Sequence, residues 1–280
     1  METAPHPLVH RFVTGFIGIN AGFVAAYSLV NPQGLDEAFT WANLPPLHAR
    51  FVGALYLWGT IVLVWAALAR RRAVWWPIVV GAAIFTSSMG ILTALNRRAF
   101  DWSLLPVKVW VLAYIVFPLM TLPLAWRYRR SDPADAGGPD MPGNAVRILH
   151  GLTLIFGLLG VGLLVVRSAA VSAWPWPVSD GVAQFYGGPF LTIAWCCWAY
   201  SRRSVRDCRG FALAMAALGL AVVAVSIKHR VLFDAGDIST WLWFALFGTV
   251  AVAFSYAVVR SVGLVSCARR NYPSTGTSTP

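Results

Sequence analysis

The sequence predicts an all-α polytopic membrane bundle of about eight transmembrane helices, built as two parallel four-helix repeats. Three observations carry that reading. Hydrophobic residues make up 58% of the chain and charged residues only 12%, where soluble domains carry roughly a quarter charged. Lysine and arginine gather at the ends of long apolar runs rather than within them. Motifs in the first part of the chain recur in the second at a nearly constant offset.

A soluble fold of 280 residues cannot hide this much apolar surface, because much of what it shows to water must be polar. A bilayer removes that constraint. The net charge of +11 raises nucleic acid as a partner, but the arginines form short clusters between apolar runs, not one basic face. The expected partner is the lipid bilayer, and nucleic acid is excluded.

Eight apolar runs approach the roughly 20 residues that a crossing helix needs. The first, 12–30, carries a Gly-x-x-x-Gly step at Gly18 and Gly22. The second, 48–69, and third, 74–95, are separated by Arg70–Arg72 and should form an antiparallel hairpin. The fourth, 104–126, starts with Pro106 and Lys108 in its first turns. The fifth, 148–166, has a smooth side of Gly151, Gly157, Gly160 and Gly162. The sixth, 182–201, encloses Cys196 and Cys197; the seventh, 210–227, and the eighth, 240–260, complete the set. Barrel strands would alternate in polarity, and these runs do not.

Fifteen of the 22 basic residues fall on one side of these spans, among them Arg70–Arg72, Arg202, Arg203, Arg206 and Arg209. That side should be cytosolic, with both termini inside, in the plasma membrane of a bacterium. Trp41, Trp102, Trp174 and Trp176 should mark the outer boundary, and Trp75, Trp76, Trp126 and Tyr200 the inner one.

Arg127–Arg147 is dense in Pro, Gly and Asp and predicts a cytosolic linker. The expected organisation is therefore a first four-span repeat over 1–126, a linker over 127–147, a second repeat over 148–261 and a disordered tail over 262–280. Arg-x-x-Phe-Asp occurs at Arg97–Asp101 and again at Arg230–Asp234, an offset of 133. At that offset Trp110 matches Trp243 and Arg127 matches Arg260; at 134, Ala49, Phe51 and Gly53 match Ala183, Phe185 and Gly187. Four crossings per half return the chain to its starting side, so the repeats should be parallel.

Candidate site residues lie at the outer ends. Arg97 and Asp101, and Arg230 and Asp234, are four apart and predict ion pairs that order each outer hairpin. Arg50 and its repeat mate Gln184 could face the axis between the halves, with Trp110 and Trp243 nearby. These eight residues are the candidate substrate-binding set. No metal spacing appears, and the cysteines read as buried hydrophobes (Cys196, Cys197) or free cytosolic thiols (Cys208, Cys267). No cofactor is indicated. A b-type haem between histidines at span ends (His10, His150, His48, His229) is the weakest of the readings.

No nucleophile–base motif occurs, and the spans hold no central Asp or Glu, which disfavours proton relays and cation-coupled carriers. The polar residues within them, such as Asn20, Ser87, Thr93, Thr192 and Ser226, suit helix–helix hydrogen bonding. The expected function is binding or translocation of a small or lipid-like molecule between the repeats near the outer face. The alternatives are a non-catalytic subunit that joins a membrane-protein partner, or an enzyme acting on lipid headgroups through Asp101 or Asp234. The motifs themselves assign no catalysis.

Overall fold

The computed structural model describes residues 8–34, 45–129 and 139–270. Among them are the helices α1 (Leu8–Val30), α2 (Pro46–Leu68), α3 (Arg72–Leu95), α4 (Leu105–Arg127), α5 (Gly143–Val165), a short α6 (Arg167–Ser172), α7 (Asp180–Tyr200), α8 (Arg209–Lys228) and α9 (Ile238–Arg270). Two 3-10 turns, Arg97–Ala99 and Arg230–Leu232, lead out of α3 and α8. No strand occurs among the described residues, so the chain is an all-α bundle. Trp41, residues 130–138 of the expected linker and the tail beyond Arg270 lie outside the described residues, as does the Arg167 side chain.

Every expected span is a helix, with ends shifted by a few residues. Seven are long and apolar enough to cross a membrane, which makes this a multi-pass membrane protein. The remaining long helix, α7, carries Gln184, Tyr186, Gly187, Gly188 and Pro189 and is less apolar. It is also the helix most enclosed by its neighbours, with most of its residues buried. A helix walled by protein needs no lipid-compatible surface, which accounts for its composition. At the other extreme α4 turns Val109, Leu112, Ile115, Leu119 and Leu122 outward. The last helix runs to Arg270, past the boundary expected at 261, because no proline interrupts the chain before Pro273.

Helix ends gather at two levels. At the arginine-rich end, His10 of α1 donates from Nε2 to the Ala69 carbonyl at 3.2 Å, just past α2. His150 of α5 donates from Nε2 to Ser201 Oγ at 3.0 Å, just past α7. The first helix of each half is thus tied to the C-cap of the second. Arg72 bonds the Tyr128 carbonyl, and Tyr200 donates to the Val74 carbonyl at 2.6 Å. Arg71 reaches across to Asp207 at 2.9 Å.

The helix pairings match between halves. α1 packs on α2 as α5 packs on α7, and α3 on α4 as α8 on α9. Across the middle, α2 packs on α8 and α3 on α7. Small residues permit the closest approaches: a Cβ at Gly187 would lie 2.9 Å from the Gly160 carbonyl oxygen, and one at Gly18 would lie 3.2 Å from Leu63 Cβ.

Details repeat as well. Trp110 Nε1 donates to Thr93 Oγ1 at 3.0 Å, and Trp243 Nε1 donates to Ser226 Oγ at 3.1 Å. Both members of this pair are shifted by 133 residues. Asp101 Oδ1 accepts the Ser103 N–H at 2.9 Å, and Asp234 Oδ1 accepts the Gly236 N–H at 2.8 Å, again shifted by 133.

Several boundary aromatics belong instead to the core. Trp75 and Tyr200 are fully enclosed, and Trp174 and Trp176 are only 7% and 3% exposed. Trp75 stacks on His10 at 4.5 Å, which draws it inward from the arginine-rich end. Trp126 and Trp102 do face outward, as a belt requires. Cys208 is a free thiol and is buried, and burial pushes its pKa up to about 12.

Candidate functional site

The outer-end candidates do not converge on one site. Arg97, Asp101, Arg230 and Asp234 are all exposed. The one ion pair among the described residues is Arg71–Asp207, so neither Arg–Asp pair of the repeated motif forms. The 3-10 turns after α3 and α8 break the helical register on which that pairing relied. Each carboxylate instead caps the turn that follows it, and Asp101 also accepts the Ser103 hydroxyl at 2.6 Å. These bonds from Ser103 hold the Asp101 carboxyl below the usual carboxylate range.

Arg50 donates from a guanidinium nitrogen to His229 Nε2 at 2.9 Å, which joins the ends of α2 and α8. Burial, then the positive charges of Arg50 and Lys228, keep the His229 pKa below its ordinary value. Gln184 is buried and reaches the Leu164 carbonyl at 3.5 Å. His48 donates from Nε2 to the Pro177 carbonyl at 3.0 Å, which leaves Nδ1 to accept from the Tyr186 hydroxyl at 2.6 Å. Both of its ring nitrogens are therefore engaged by protein.

Near this end, rings fill the space where α2, α7 and α9 meet the segment from Trp174 to Trp176. Phe51, Trp174, Trp176, Tyr186, Phe190 and Trp243 pack against one another, with Trp176 4.8 Å from Trp243 and Phe51 4.9 Å from Tyr186. Pairs in these offset and edge arrangements add about 0.5–1.5 kcal/mol each beyond area burial. Trp243 therefore lies in packed core.

A cavity of ≈ 460 Å³ opens instead to one side. Its walls come from α1 (Ile17, Asn20, Phe23), α2 (Val52, Tyr56, Trp58), α3 (Phe85, Thr86, Met89), α4 (Trp110, Tyr114, Phe117) and α7 (Phe185, Tyr186, Thr192). The volume falls in the range of roughly 300–1,000 Å³ typical of small-molecule sites. Helices α1 and α4 meet where Phe16 abuts Phe117 at 5.9 Å. Between them the rim residues Phe23 and Leu105 are 72% and 71% exposed. In a chain embedded in a bilayer, such apolar side chains face lipid.

No charged side chain is among the described residues lining this chamber. Its polar groups are few. The hydroxyls of Tyr56 and Tyr114 lie 2.6 Å apart. Thr86 and Thr192 hydroxyls bond backbone carbonyls of their own helices. Trp58 is 5% exposed, and its indole N–H has no hydrogen-bond partner among the described residues, an arrangement that is uncommon for a buried donor.

Of the eight outer-end candidates, Trp110 alone lines the chamber, and the repeat offset identified it. Tyr56, Tyr114 and Trp58 were missed. The signal that could have found them is three polar-tipped aromatics at mid-span, away from the interfaces where such rings settle. No protein-family model, curated protein or solved structure matches the chain.

Proposed function

We propose that this chain binds a lipid-like or small apolar molecule in the lateral chamber between α1 and α4, within the plasma membrane. The observation that carries the reading is the ≈ 460 Å³ apolar chamber with a rim of outward-facing Phe23 and Leu105. A hydrophobic ligand reaches such a site from the bilayer without passing through water. Both carboxylates of the repeated motif are engaged in turns at exposed ends, which favours binding over headgroup chemistry.

The arginine-rich end supports a cytosolic placement of both termini. The matched hydrogen bonds of Trp110 and Trp243, with the matched helix pairings, support a parallel duplication of a four-helix unit. Under that reading one half keeps an open chamber, and α7 of the other half supplies one of its walls.

Native mass spectrometry of the gently extracted protein tests the proposal. A bound lipid-sized mass should accompany the chain and disappear in Ala113→Trp, which fills the chamber. A ligand-free native spectrum contradicts it.

A further inference from the structure

We propose that the chamber is built for an uncharged planar ring that bears an oxygen acceptor and an apolar tail, a quinone-like lipid, rather than for a bare acyl chain. The inference rests on the binding function proposed above and on the duplication of the four-helix unit.

Under the offsets of 133 and 134, the wall residues Phe185, Val52, Tyr56, Trp110 and Tyr114 correspond to Phe51, Tyr186, Phe190, Trp243 and Phe247. That second set is packed around protein rings. Trp174 stands among its members, 5.3 Å from Trp243, 5.7 Å from Tyr186, 6.2 Å from Phe190 and 6.3 Å from Phe51. Trp176 packs beside it at 5.1 Å. The second half fills with indole rings the place that the first half leaves open.

Three substitutions separate the two places. Val52 replaces the bulk of Tyr186 and makes room. Tyr56 and Tyr114 add a hydroxyl each where Phe190 and Phe247 have none. The filled place keeps one hydroxyl, on Tyr186, and His48 engages it at 2.6 Å; the two hydroxyls of the open place bond only each other among the described residues.

The hydroxyl pair also fixes the polarity of the ligand. At 2.6 Å one tyrosine donates to the other. The accepting tyrosine keeps its own proton, which is then a donor without an acceptor among the described residues. That donor at an apolar wall calls for a ligand with an acceptor oxygen, since an unmet buried donor is costly. With no charged lining group among the described residues, an anion or cation would stay uncompensated there.

Decylubiquinone, a neutral ring with carbonyl oxygens and a short tail, is the probe, and monopalmitoylglycerol is the ring-free control. Binding of each to the full chain in nanodiscs is measured by native mass spectrometry. Decylubiquinone should bind one per chain, with the control at least about tenfold weaker. Tyr56→Phe/Tyr114→Phe, which copies the second half, should weaken decylubiquinone about fivefold, the worth of one hydrogen bond. Val52→Tyr, which also copies it, should abolish binding. Equal binding of the two probes, both lost in Val52→Tyr, overturns the ring assignment and leaves the binding function standing. Decylubiquinone binding unchanged in both variants places its site elsewhere and overturns the inference. Absence of both probes, with no co-purifying lipid, removes the binding function itself.

Discussion

The hydroxyls of Tyr56 on α2 and Tyr114 on α4 lie 2.6 Å apart at the wall of an apolar chamber. Loss of one partner strands the other hydroxyl. Loss of both replaces a polar pair by two matching apolar rings, which can be nearly neutral. Tyr56→Phe alone should therefore destabilise the chain by about 1 kcal/mol, and the double Phe variant by no more than that. Reversible unfolding in mixed micelles measures both. A double variant that loses the sum of two single losses would show that the hydroxyls act separately.

Trp174 and Trp176 are buried among Phe51, Tyr186 and Trp243. Their replacement by alanine leaves a void in a core of packed rings, and each should cost roughly 3–5 kcal/mol. The expected thermal shift is much larger than for Trp126→Ala, whose ring faces outward. Equal shifts at the three positions would contradict the buried placement of the pair.

Arg71 and Asp207 join the two halves at the arginine-rich end, with the Asp207 side chain 2% exposed and that of Arg71 25%. Removal of arginine alone leaves a buried carboxylate unpaired, at a cost of roughly 3 kcal/mol, moderated by water that reaches the Arg71 side. Arg71→Met/Asp207→Leu should recover much of the loss, because it removes both charges. A double variant as unstable as Arg71→Met would refute a net charge penalty.

His229 accepts from Arg50 through Nε2 and must be neutral to do so. Its folded pKa lies below the ordinary 6.5, first through burial and then through Arg50 and Lys228. The unfolded chain therefore takes up the proton more readily than the folded chain. The stabilisation is complete above about 6.5 and is lost as pH falls toward the lowered folded pKa. Between about pH 7.5 and 5, the native chain should lose more Tm than His229→Gln, whose amide does not titrate in this range. Identical losses would exclude this contact as a source of acid sensitivity.

The spans were legible because a helix in lipid must be apolar over a fixed length, and that leaves its mark on every run from 12–30 to 240–260. The repeated Arg-x-x-Phe-Asp motif was legible too, but its ion pairs were not to be had: a 3-10 turn at Arg97–Ala99 replaces the helix that the spacing assumed. The chamber left little trace. Its lining of Val52, Phe85, Met89 and Phe117 is chemically the same as the surrounding core and lipid-facing surface. Which of these residues borders a void depends on helix rotation and separation, and apolar pattern alone does not encode either inside a bilayer. Trp174 and Trp176 mislead for a related reason, since a Trp near a span end suits the interface and the interior equally well.

A crystal structure determined from a lipidic mesophase tests the central claim most directly. The account predicts ligand density between α1 and α4, beside Tyr56 and Tyr114 and reaching the lipid past Phe23 and Leu105. Helices α1 and α4 closed against each other, with side chains filling the space from Val52 to Trp110, would contradict it.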